Sequence, residues 1–173
     1  LYGSNAMAGV MNIITKTQKK EGFSGNGRFS YGSFNTMKIM GNGGYRKKGF
    51  QVFASVNHDR TDGHRDSSDF KITNGYLKTG YEINDHLSVV ADANLAFFNS
   101  TDPGPEYAPG SFLIDIMRGK ASLSVRNDYN KLKGGLIAFY NFGEHDLSNG
   151  FFSNDANAGI SLYQGIRLFQ NSL

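Results

Sequence analysis

The 173-residue chain has no cysteine, only three prolines and no long apolar run. Without cysteine there is no disulfide scaffold and no thiolate metal site. No stretch approaches the ~18 apolar residues of a membrane helix. That absence leaves strand-crossing proteins open, because a barrel strand needs only about 10 residues of alternating character. Charge of one sign is also scarce. A net charge of +3, without a Lys/Arg-rich block, gives no case for nucleic acid as a partner. The chain opens in mid-pattern without a leader, which predicts a cytosolic protein or a piece of a longer one.

What is present is aromatic and small. Fourteen Phe, nine Tyr and 22 Gly, with few strong helix formers, point to β structure. The clearest strand is 117–130. Met117, Gly119, Ala121, Leu123, Val125, Asn127 and Tyr129 alternate with a wholly polar set that includes Arg118, Lys120 and Arg126. Period 2 sends the two sets to opposite faces, and the run is about twice the common soluble length. Similar alternation marks 23–31, 37–46, 50–57, 77–83 and 87–97, and more weakly 134–142 and 158–169. The 87–97 segment also carries a helical spacing; its Asp92-Ala93-Asn94 centre and its neighbours favour strand.

The links predict a two-ended molecule. Segments 46–49, 84–86 and 130–133 read as short turns; 59–71, 99–113 and 143–157 read as long loops. Their alternation fits an all-β, antiparallel up-and-down meander of about eight strands, part of a large transmembrane β-barrel with tight turns at one end. The link 32–35 belongs to the long-loop end but is short. Phe23, Tyr31, Tyr45, Phe50, Tyr81, Phe97 and Tyr129 lie near strand ends, where interfacial girdles belong. In this reading Arg118, Lys120 and Arg126 face the lumen. A soluble carbohydrate-binding β-sandwich and a passive porin or adhesin barrel are the alternatives.

The opening stretch LYGSNAMAGVMNIITK carries the one motif. Tyr2-Gly3, Gly9-Val10 and Asn12-Ile13-Ile14-Thr15 resemble the end of the plug domain in TonB-dependent outer-membrane receptors. Ala8 and Met11 are mild departures from that pattern. The resemblance covers the first sixteen residues and implies a boundary, with 1–17 ending the plug and 18–173 beginning the barrel. It implies a fragment too, since such barrels have about 22 strands. It further implies active uptake in the outer membrane without covalent chemistry, so no enzyme and no cofactor. TonB, driven through ExbB–ExbD, would pull on the missing N-terminal region. The ligand would be a small molecule or metal chelate: an iron–siderophore complex, haem, cobalamin or a glycan. Membrane lipid and lipopolysaccharide would be the remaining partners.

Charged clusters in the predicted loops are the candidate ligand contacts. The first holds His58, Arg60, Asp62, His64 and Arg65. Its spacing matches no metal motif, and its arginines would repel a cation. The second, with all three prolines, holds Asp102, Glu106 and Tyr107 and reads as a rigid, extended loop. The third holds His145 and Asp146. Asp102 and Glu106 have nothing to orient them as a catalytic pair. Gly25-Asn26-Gly27 and Gly41-Asn42-Gly43-Gly44 lack the helix and Lys-Ser/Thr of a phosphate loop.

Overall fold

A computed structural model describes Gln18 and residues 20–166. The plug-like residues Tyr2, Gly3, Gly9, Val10, Asn12, Ile13, Ile14 and Thr15 lie outside the described residues, so the 1–17 boundary does too. The described chain is one eight-stranded antiparallel sheet in sequence order. Its strands are β1 (Gly22–Gly32), β2 (Thr36–Lys47), β3 (Phe50–Thr61), β4 (Phe70–Asn84), β5 (Leu87–Asp102), β6 (Phe112–Asp128), β7 (Leu132–Leu147) and β8 (Phe151–Ile166). The all-β meander is as expected, and 87–97 is strand. The sheet is open: β1 and β8 do not pair with each other.

Register fixes which residues share a face. Phe23, Tyr45, Val52, Thr79, Ala91, Leu123, Ala138 and Ile160 form one cross-strand row. The rows on this face make an apolar band, and no large apolar side chain in the sheet is fully buried. On β1 and β2 the band runs from Phe23 and Tyr45 to Tyr31 and Met37. On β7 and β8 it ends two rows lower, at Phe142 and Ala156, and reaches instead to Leu132 and Ile166. The band therefore slants across the hydrogen-bonded rows. A drift of two to three rows over six strand spacings tilts the strands about 30° from the normal to the band. With that tilt, the band is about 23–29 Å tall.

The opposite face is concave and polar along its middle, with Phe70, Ile72, Phe98, Ile114 and Ile116 on it near the long-loop end. On β3 the exposed residues Phe50, Ala54, Val56 and Arg60 all belong to the apolar face, while the polar-face residues are half-buried. Curling toward the polar side crowds that face and splays the other. Gln18, just before β1, lies on the polar face. It accepts a bond from the Ser24 hydroxyl and donates to the Lys20 carbonyl at 2.9 Å. It also occupies the space over Gly44, where an added Cβ would meet its side chain at 3.0 Å.

Two-residue and three-residue turns close one end: 48–49, 85–86 and 129–131. Lys48 and Gly49 are both left-handed (φ 47° and 82°), the geometry that matches strand twist in a tight hairpin. A bulge between Glu82 and Asn84 sets the second turn, and the His86 and Tyr129 rings of adjacent turns pack at 4.8 Å.

The other end departs from expectation. Its links are 33–35, 62–69, 103–111 and 148–150, so two of the four are tight. The expected long loop over 143–157 is a continuation of β7 and β8 around Ser148-Asn149-Gly150. Gly150 takes the left-handed conformation (φ 85°), and the Asn149 carboxamide accepts from the Phe151 N–H at 2.9 Å. His145 and Asp146 are thus strand residues, not loop residues. The ladder also extends past the predicted ends of β3 and β5, so His58 and Arg60 stand in β3, and Asp102 is the last residue of β5.

Candidate functional site

The long-loop end gathers part of the predicted contact set. Loop 62–69 and loop 103–111 flank a recess of about 640 Å³ lined by Asp62, His64, Arg65, Asp66, Pro103 and Pro109. The Arg65 guanidinium donates to the Gly104 carbonyl at 3.3 Å and ties the loops together. Loop 103–111 is folded rather than extended: the Gly110 N–H donates to the Pro103 carbonyl at 2.8 Å, closing it on itself. Asp102 accepts from the Gly104 N–H at 2.9 Å, which fixes its carboxylate as a turn cap. Tyr107 projects, 91% exposed.

The tight turn 33–35 braces the same corner. Phe34 and Asn35 are both left-handed (φ 55° and 52°), which is costly for a phenylalanine. The Phe34 carbonyl accepts from the Asp62 N–H at 2.9 Å and the Thr61 hydroxyl at 3.2 Å. Its ring meets His64 edge-on at 6.5 Å. Asn35 accepts from Arg60 (3.3 Å) and Tyr31 (3.0 Å), and donates to Asp62 (3.1 Å). His58 bonds Thr73 at 2.8 Å on the apolar face, away from the recess. His145 and Asp146 sit four strands from β3 on opposite faces of β7, so they do not join this cluster.

Arg118, Lys120 and Arg126 share the polar face, as alternation predicts. Arg118 reaches straight across three strands. Its directly opposed neighbour is Gly143, and beyond that lies Asp155. The missing Gly143 side chain lets the guanidinium bond both Asp155 oxygens, at 2.8 and 2.6 Å. Lys120 and Arg126 make no ion pair among the described residues.

Sequence reasoning missed one feature of this face. Asn26–Asn42, Asn57–Asn74 and Asn141–Asn157 are directly opposed pairs, and Asn94 lies between them. All seven occupy two adjoining rows. Asparagine is depleted in strands, so its recurrence at one height was the signal, visible only after the strands are registered. No family model, curated protein or solved structure matches the chain.

Proposed function

We propose that this chain is the end of the plug and the first eight barrel strands of a TonB-dependent outer-membrane receptor. Such a protein takes up a scarce nutrient by transport coupled to the proton-motive force. The observation that carries the membrane reading is the slanted apolar band. Its height of about 23–29 Å and tilt of about 30° come close to the ~25 Å band and ~35–45° tilt of outer-membrane strands. Aromatic rings edge it: Phe23, Tyr45, Phe50 and Tyr81 stand in adjacent strands at its short-turn border. The plug half of the reading rests on the opening motif. Gln18 supports it, because the chain enters β1 from the concave polar side, where a plug would sit. Ligand would meet the recess between loops 62–69 and 103–111, and TonB with ExbB–ExbD would act on the region before residue 1.

These 173 residues hold no cysteine, so a thiol-free background needs only cysteines outside them replaced. Lys120→Cys and Ala121→Cys are introduced singly into the full-length protein in intact outer membranes. A water-soluble maleimide should label Lys120→Cys and spare Ala121→Cys. Equal labelling, or recovery of the protein without detergent, defeats the membrane reading. Nutrient uptake that persists in a strain lacking TonB defeats the receptor reading alone.

A further inference from the structure

The long-loop end carries a place where the chain can modify itself. Asparagine followed by glycine occurs four times: Asn26-Gly27, Asn42-Gly43, Asn74-Gly75 and Asn149-Gly150. Such a pair is prone to cyclise, because glycine has no side chain to shield its backbone nitrogen from the preceding carboxamide carbon. Structure separates the four. Asn26, Asn42 and Asn74 lie within paired strands. Bringing the glycine nitrogen onto the carboxamide carbon needs a backbone rotation, and a strand ladder resists rotation until it opens locally.

Asn149-Gly150 differs in three ways. Both residues are exposed, in the turn between β7 and β8. No atom beyond the chain neighbours of Gly150 stands within 4 Å of the place a Cβ would take, so solvent reaches this glycine. Its N–H is held by one turn bond, to the Leu147 carbonyl at 3.0 Å. The Phe151 N–H donates to Asn149 Oδ1 at 2.9 Å. That donor draws electrons from the carboxamide carbon and stays aimed at the oxygen as it becomes an oxyanion.

We propose that Asn149 is a self-modification site that loses its amide as ammonia. Solvent base takes the Gly150 amide proton, and the nitrogen attacks Asn149 Cγ. The N–Cγ bond forms, the Cγ–Nδ2 bond breaks, and the leaving amide takes a proton from water. Water then opens the succinimide at either carbonyl to give aspartate or isoaspartate, and nothing is oxidised or reduced. The product gains a carboxylate, and isoaspartate routes the main chain through Cβ, which lengthens a tight turn. The adjoining Ser148 is stitched to Leu113. Its N–H donates to the Leu113 carbonyl at 2.9 Å, and its hydroxyl accepts from the Leu113 N–H at 2.9 Å. The modification therefore loosens the start of β6, where loop 103–111 is anchored.

The proposal goes beyond the receptor reading and does not depend on it. The full-length protein in detergent is aged in mildly alkaline heavy-oxygen water, both folded and in denaturant. Each Asn-Gly peptide is read by mass spectrometry, and isoaspartyl methyltransferase scores isoaspartate. In the folded protein Asn149 should take up heavy oxygen about tenfold faster than Asn26, Asn42 and Asn74, or more, since those sites must first open a ladder. In denaturant the four rates should converge, by acceleration of the strand sites. Gly150→Asn keeps a residue tolerant of the left-handed conformation and should slow reaction at Asn149 by covering the nitrogen. Hydrogen exchange at Leu113 and Ser148 should rise in the aged protein and not in aged Gly150→Asn. Equal rates at the four sites in the folded protein overturn the proposal. So does an Asn149 rate that rises in denaturant as steeply as those of the strand sites. Reaction at Asn149 with unchanged exchange at Leu113 and Ser148 overturns its link to loop 103–111.

Discussion

The slant of the apolar band can be tested by setting hydrogen-bonded row against membrane depth. Tyr45 and Ala138 share one row, and Ile39 and Glu144 share another. The slant reverses their depths. In the first row Ala138 lies inside the band and Tyr45 at its border. In the second, Ile39 lies inside and Glu144 has left it. An arginine facing lipid costs about 2–4 kcal/mol near the midplane and about 0–1 kcal/mol near the interface. Ala138→Arg should therefore cost about 2–4 kcal/mol, Tyr45→Arg and Glu144→Arg about 0–1 kcal/mol, and Ile39→Arg, between midplane and border, an amount between these. The assay is guanidinium unfolding of the full-length protein in lipid vesicles, read by the electrophoretic shift between folded and unfolded forms. Equal costs within a row would refute the tilt. A cost at Ala96→Arg, on the polar face, matching that at Ala138→Arg would refute the assignment of faces.

Gly143→Ala should push Arg118 off Asp155, because the new Cβ would stand 2.6–2.9 Å from the guanidinium. The pair is about half exposed, so its coupling to Asp155→Asn in a double-mutant cycle should be at most about 1 kcal/mol; a coupling of several kcal/mol would contradict that exposure. Phe34→Gly should relieve about 1 kcal/mol of left-handed strain while freeing His64. Unchanged stability together with an unchanged His64 proton spectrum would contradict both effects. Gly119→Val should displace the Phe142 ring, which covers the space above Gly119 on the apolar face, and lower the unfolding midpoint. No change would mean the ring is not held there.

The alternation in 117–130 was enough to predict the body of β6 and both of its faces, because each face meets a different environment along its middle, but the strand starts at Phe112, and Tyr129 and Asn130 fall in the turn. Strand ends were less legible. On β3 and β7 both faces turn polar near the loop end: His58 and Arg60 on β3, and Glu144, His145 and Asp146 on β7 are strand residues outside any apolar alternation along their own strands. Backbone pairing with neighbouring strands carries the ladder on there, and one sequence window holds no record of it. Ser148-Asn149-Gly150 was a readable turn, hidden by the expectation that links at that end are long. The asparagine rows need the register of the strands, since no two of these seven asparagines are closer than 15 residues in the chain.

The surface area departs from that of a compact protein. A compact protein of 19.0 kDa presents about 8,400 Å², whereas this chain presents 12786 Å². The excess follows from a single-layer sheet. A sandwich buries one face of each of two sheets, and among the described residues there is one sheet. Along its middle the polar face would bury carboxamides and cations at a high desolvation cost, while near its loop end it carries Phe70, Ile72, Phe98 and Ile116. The apolar face runs directly into Arg60, Lys71, Asp115 and Asp146 along a single row at its loop end, charges a protein core could not take. Under the membrane reading proposed above, a lipid boundary would accommodate both halves of that face, apolar below and charged above, and the edge backbone groups of β1 and β8 would need strand partners and closure.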